Sequence, residues 1–122
     1  MQDKIEQSSE DYLEAILMLK EEKGYVRSVD VAEKLEVTTP SVCYATKKLK
    51  ERGCITMDKS GFITLTDTGM RKAEKVLNRH NVLTDYFIML GVNPKIAADD
   101  ACRVEHCISE ETFEAIRKQM DK

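Results

Sequence analysis

The sequence predicts a mainly α-helical protein broken by one small β-hairpin, and three observations carry that expectation. Apolar residues recur at helical spacing along most of the 122 residues. The period drops to two only across residues 54–58 (CITMD) and 62–66 (FITLT), on either side of a KSG turn. Glycines and prolines stand where segments should stop or start: Gly24, Gly53 and Gly91 at ends, Pro40 and Pro94 at beginnings.

Ser8 or Ser9 is expected to cap a first helix reaching Glu22, with Glu10 and Asp11 in its first turn and Tyr12, Ile16 and Leu19 on its apolar stripe. Ser28 then caps a short helix over 29–35. Thr39 caps a third, which carries Pro40 in its first turn and ends at Gly53. The hairpin follows, with Gly61 in or beside its turn. A long helix is expected from Asp67 to Leu90, another from Asn93-Pro94 to Ile108, and a last one capped by Ser109 and reaching Met120. No internal repeat or low-complexity tract interrupts the series.

Helix, short helix, tight turn, helix, hairpin is the order of a winged helix-turn-helix, in which the second helix of the pair enters the major groove and the wing touches neighbouring backbone. The net charge of −3 argues against indiscriminate nucleic-acid binding. Residues 47–52 nevertheless carry +3 once Glu51 is counted. Thr38, Thr39, Pro40, Ser41 and Tyr44 stand at the start of the candidate recognition helix, where their hydroxyls can reach phosphates or base edges. Lys47 and Lys48 add sequence-independent attraction. Arg27 and Ser28 at the entry to the pair, and Lys59 in the wing turn, complete the DNA-binding candidates.

No apolar run nears the roughly 18 residues that would span a bilayer. The polar, acidic start MQDKIEQSSED is not that of a signal peptide, so a cytoplasmic location is expected. There Cys43, Cys54, Cys102 and Cys107 would be reduced. None forms a C-x2-C pair, and most are expected to be small buried hydrophobes.

The stretch ACRVEHCIS (101–109) sets a thiol, a carboxylate and an imidazole within five residues. On a helix Cys102, Glu105 and His106 share one face. Asp11 and Glu14 share a face of the first helix, and His80 lies within the long one. These are the residue types a divalent first-row metal takes, from hard carboxylate through imidazole to soft thiolate. Each also has a plainer reading. Acids favour a first helical turn, a single histidine is commonly surface or core, and cysteine commonly packs. Spacing alone does not bring three helices together.

Taken together, SEDYLEAILML (9–19), VRSVDVAEKLEVTTPSV (26–42), GFITLTDTG (61–69), RH (79–80) and CRVEHCIS (102–109) resemble the diphtheria toxin repressor family, more closely its short manganese-transport-regulator branch. The resemblance implies a homodimeric, metal-activated repressor of operator DNA. It would have a winged helix-turn-helix domain over 1–66 and a helical metal-binding and dimerisation domain over 67–122. It places metal ligands at Asp11, Glu14, His80, Cys102, Glu105 and His106. Asp11 is typical of the manganese branch and Cys102 of iron-type members, so the set is a hybrid. Fe2+ or Mn2+ is the expected effector, one or two per subunit, with a lean to iron because thiolate softens the site; Co2+ and Zn2+ are expected substitutes. Thr84 and Ala98 stand where iron-type members carry accessory ligands, so that second site is expected to be absent, as is the SH3-like third domain of larger members. Val82, Leu83, Tyr86, Phe87, Met89, Ile108, Phe113 and Ile116 are shared between core and dimer interface in a way sequence does not divide.

The competing readings are a metal-independent winged-helix regulator answering to a small molecule or thiol oxidation, a small metalloenzyme, and a structural metal site in an interaction module. The enzyme reading lacks an H-E-x-x-H helix, a phosphate loop and paired E-x-x-H helices. No enzymatic activity, small-molecule substrate or membrane partner is expected.

Overall fold

The computed structural model describes residues 4–121, with side chains from Ser8 onward. In chain order the elements are α1 (Lys4–Lys23), α2 (Ser28–Leu35), α3 (Thr39–Glu51), β1 (Ile55–Met57), β2 (Ile63–Leu65), α4 (Asp67–Met89), α5 (Pro94–Val104) and α6 (Glu110–Met120). They form two compact units, one over residues 4–74 and one over 75–122, with the division inside α4.

In the first unit α1 packs on α2 and α3, burying Ile16, Val26, Val31, Val42 and Leu49 with Ile55 and Ile63 of the wing. Contrary to expectation, α1 begins at Lys4, so Ser8 and Ser9 lie inside it rather than capping it. No glycine or proline in residues 4–7 stops the helix from extending past them. The Ser9 hydroxyl instead accepts a hydrogen bond from Arg52 Nη1 at the end of α3, 3.2 Å away.

Helix α2 starts one residue earlier than Ser28 would cap it. Arg27 is the extended N-cap residue, and its N–H donates to Asp30 Oδ2 at 3.0 Å. The other oxygen of Asp30 accepts from Lys23 Nζ at 3.0 Å, tying the end of α1 to the start of α2. The Lys23 ammonium, followed by the Arg27 N–H, holds the Asp30 carboxyl below the usual carboxylate range, and Asp30 in turn raises Lys23.

The turn of the helix pair passes through Glu36, whose φ of 56° is left-handed. Thr38, not Thr39, then caps α3: its Oγ1 accepts from Ser41 N at 3.3 Å.

The wing strands are antiparallel, pairing Ile55 with Leu65, Thr56 with Thr64 and Met57 with Ile63. They are three residues each, shorter than the alternating runs, because Asp58 closes the turn: its Oδ1 accepts from Ser60 N and Phe62 N, each at 2.9 Å. Ile63 N donates to Val26 O at 2.8 Å, adding the segment before α2 to the hairpin edge. The Thr66 hydroxyl donates to Gly53 O at 2.6 Å and accepts from Gly69 N at 3.1 Å, so it locks the start of α4 to the start of the wing. Gly69 is required there, since a Cβ would overlap the Cys54 carbonyl.

In the second unit Leu83, Ala101 and Phe113 form the core, with Val82, Phe87, Val104, Ile108 and Ile116 packed against it. Leu83 and Phe113 are thus interior, whereas Met89 is exposed, as are Ile88, Leu90 and Ile96. Asn93 caps α5, its Oδ1 accepting from Lys95 N at 2.9 Å. Ser109 caps α6, its Oγ accepting from Thr112 N at 3.1 Å. Helix α5 stops at Val104, four residues short of the expected Ile108. The chain must reverse over residues 105–108 for α6 to begin at Glu110, capped by Ser109, and for Ile108 and Phe113 to reach the Leu83 cluster.

Candidate metal centre and nucleic-acid surface

The early end of α5 decides how the CRVEH segment is displayed. Cys102 stays on the helix, and Glu105 and His106 begin the turn that follows; Glu105 keeps helical backbone, its N–H donating to Ala101 O at 2.9 Å, and a carboxylate oxygen remains within 4.8 Å of the Cys102 thiol. Glu105 is 1% exposed and His106 4%. Glu105 Oε2 lies 3.1 Å from Nδ1 of His80 on α4, and Oε1 lies 3.4 Å from His106 Nε2. A second hold comes from Arg79, which donates to the Glu105 backbone carbonyl.

A buried carboxylate between two imidazoles is costly unless positive charge offsets its lost hydration. Oε1 accepts no hydrogen bond among the described residues. Neutral imidazoles beside a carboxylate are also the donor set that intermediate divalent cations take, so these residues fit such an ion. Cys102 is exposed at the end of α5.

In the first unit Asp11 and Glu14 lie one turn apart on α1, the first half-buried and the second buried. Burial, then the charge of Asp11, raises the neighbouring Tyr12 phenol. Thr84 is turned away from any ligand role, its hydroxyl donating to His80 O in its own helix at 2.7 Å. Ala98 has no donor atom.

The cysteine expectation needs correction: only Cys54 is buried, and Cys43, Cys102 and Cys107 are exposed. Cys107 does not pack from a continuing helix. With α5 ended, it sits in the turn, its thiol 3.5 Å from Arg103 O.

The surface candidates of the first unit lie at the start of α3 and beside it. Thr38, Thr39, Pro40, Ser41, Tyr44, Lys47 and Lys48 are all exposed. Thr38 and Ser41 hydroxyls are 2.9 Å apart, so part of their hydrogen-bonding capacity goes to capping. Lys48 Nζ lies 5.4 Å from the Tyr44 ring centroid, keeping both on one face. Arg27 and Lys59 are exposed and Ser28 is half-buried. Phe62 is not among the candidates expected from sequence: its ring lies 4.2 Å under the Arg27 guanidinium and meets Tyr25 edge to face at 6.0 Å. Only the alternation that placed Phe62 at a wing edge pointed in that direction.

Two family models match the chain. The iron dependent repressor N-terminal DNA binding domain matches residues 4–61, and the iron dependent repressor metal binding and dimerisation domain matches residues 66–122. An HTH-type transcriptional regulator of Methanocaldococcus jannaschii is 34% identical over 118 residues, which cover 95% of this chain and 94% of the relative. The transcriptional regulator MntR of Escherichia coli O6:H1 is 39% identical over 108 residues, covering 88% and 70%. A solved manganese-dependent transcriptional repressor in complex with manganese aligns with a TM-score of 0.84 at 28% identity, over 93% of this chain and 52% of its own. The chain therefore spans about half the length of that structure's chain.

Fold and matched domains define a winged-helix transcriptional regulator of the metal-dependent class, with DNA and a second copy of itself as partners. The chain belongs to the diphtheria toxin repressor family, in its manganese-transport-regulator-like branch. That family consists of transcriptional regulators rather than enzymes. Among the described residues no helix is long and apolar enough to cross a membrane.

Proposed function

We propose that this protein is a cytoplasmic repressor that binds operator DNA as a homodimer when Fe2+ or Mn2+ is bound by Asp11 and Glu14 of the first unit and His80, Cys102, Glu105 and His106 of the second. The observation that carries it is the buried Glu105 carboxylate held between His80 and His106. Thr84 and Ala98 support the absence of an iron-type accessory site. The functional domains are drawn at 1–66 and 67–122.

A bound divalent cation would neutralise the carboxylates and join donors from both units. The protein's own groups set the rest. Asp11 and Glu14, one turn apart on α1, repel each other while both are charged. Glu105 and His106 are preorganised by the turn after α5. The hydroxyls of Thr39 and Ser41, with Tyr44, Lys47, Lys48, Arg27, Ser28 and Lys59, contact operator phosphates and base edges, while Thr38 and Pro40 shape the start of the recognition helix. Because metal and DNA favour the same state, each raises the affinity for the other.

The cysteine leans the effector toward iron, since thiolate favours Fe2+ over Mn2+ relative to an oxygen-and-nitrogen set. Two measurements test the reading. Anaerobic Co2+ titration of reduced protein should give a thiolate-to-cobalt absorption band saturating at one or two equivalents and absent from Cys102→Ser. Cobalt binding without that band would move the effector to manganese. Asp11→Ala should lose metal-dependent operator binding while remaining a folded dimer; full metal-dependent binding by that variant would sink the account.

A further inference from the structure

We propose that Arg79 is a positioning residue for the metal centre, fixing Glu105 and His106 through the backbone of the turn that carries them; this rests on the reading of those two residues as metal ligands given above. Arg79 and His80 are adjacent on α4, so they leave the helix about 100° apart. Both nevertheless reach Glu105. His80 meets its carboxylate at 3.1 Å, and Arg79 Nη1 donates to its backbone carbonyl at 2.8 Å.

The contact matters because α5 has just ended. The last carbonyls of a helix lack intrahelical partners. Glu105 is the C-cap residue of α5, and its orphan carbonyl receives a charged donor from a different helix. Beyond it the turn is held by Cys107 N donating to Val104 O at 2.8 Å and by the longer bond from Ile108 N to the same oxygen at 3.3 Å. Arg79 is therefore the side chain that sets the height of this turn against α4, and with it the reach of both ligands.

The guanidinium is itself fixed. Nη2 donates to Glu110 Oε2 in the first turn of α6 at 3.1 Å, and its carbon lies 5.1 Å from the Phe113 ring centroid. Its side chain is only 15% exposed. One planar group thus serves the turn and α6 at once while stacking on the core. A lysine ammonium, a single compact point of charge, cannot reproduce that geometry. Groups that orient metal ligands from behind typically alter metal affinity 10–100-fold when removed.

A residue that only stabilised the unit would leave ligand geometry alone, and the test separates the two roles. In the full-length chain, Mn2+ affinity is read by competition with a fluorescent chelator, and ligand-field absorption is read with Co2+ as probe. Arg79→Lys and Arg79→Met should raise the Mn2+ Kd about 10–100-fold and change the spectrum of bound Co2+. Ile116→Val, which trims the same core cluster from α6 rather than at the turn, should leave both at wild-type values after matching for thermal midpoint. Glu110→Gln keeps the contact to the Glu105 carbonyl and should cause a smaller loss than either Arg79 variant. Wild-type affinity and spectrum in Arg79→Lys would overturn the positioning role alone. Wild-type protein that binds neither Mn2+ nor Co2+ would overturn the ligand assignment, and this role with it.

Discussion

His80 Nδ1 and Glu105 Oε2, 25 residues apart in sequence, meet at 3.1 Å. The pairing brings α4 and the turn after α5 to one point. It also places on Glu105 the greatest share of whatever the centre does.

Glu105→Gln keeps the shape of the side chain and removes its charge. Mn2+ affinity is expected to fall by at least about 100-fold, at or beyond the range for groups that only orient ligands. Operator binding should then no longer respond to added metal. Equilibrium dialysis followed by a DNA mobility shift reads both, and metal-responsive binding in the variant would remove Glu105 from the ligand set.

Gly69→Ala should destabilise the winged-helix unit by about 1–3 kcal/mol, the usual cost of overpacking a tight site. The new methyl would press on the Cys54 carbonyl, where a backbone atom has little room to yield. The urea midpoint of the folded protein measures this. An unchanged midpoint would show that the start of α4 can shift away from the wing.

The Asp30 carboxyl titrates below its ordinary value of 3.8, so its contribution is complete above that value and is lost as pH falls through the lowered one. Lys23 is raised above 10.5, so its share is complete below that value and lost as pH climbs through the raised one. Asp30→Ala removes the acceptor of the Arg27 N–H and should cost about 1 kcal/mol near neutrality. The gap between variant and wild type should close in acid, below the ordinary carboxylate range. Denaturation at a series of pH values checks the sign, and a gap that widened in acid would contradict it.

Phe62→Leu keeps an apolar wing residue but withdraws the ring beneath Arg27. Exposed cation–π pairs contribute about 0.5–1 kcal/mol, so operator affinity should fall about two- to fivefold. Phe62→Tyr should restore it. The slope of affinity against salt will show whether a phosphate contact has gone, since each one adds about 0.9 to that slope. Equal affinity and slope in all three proteins would leave Arg27 without a role in DNA binding.

Most of this architecture is legible in the sequence. Period changes placed the hairpin, and Gly53, Gly91 and Asn93-Pro94 marked real boundaries because each answers to a local backbone rule. The misjudged boundaries share a cause. Ser8 and Ser9 look like caps, yet capping preference records what a residue can do at a helix end, not where the end lies. The end of α5 leaves no local mark, because Glu105, His106 and Cys107 are all compatible with helix. What ends it is the need to return Ile108 and Phe113 to a core built on Leu83, and that demand is tertiary. The same limit hid the contacts of Arg79 and Phe62. A guanidinium reaching a carbonyl 26 residues on, or lying over a ring in a hairpin, leaves no periodic trace.

The bond from Ile63 N to Val26 O changes what kind of object the wing is. Two strands of three residues make a ribbon too small to persist alone in water. Stitched to the segment that feeds α2, this ribbon shares the cooperativity of the helices behind it, so its amides should exchange with solvent only when the whole unit opens. The reading head is then a single stamp rather than a helix with a loose finger. DNA that suits the recognition helix but crowds the wing will be refused as a whole, and spacing between groove and backbone becomes a criterion of selection in its own right.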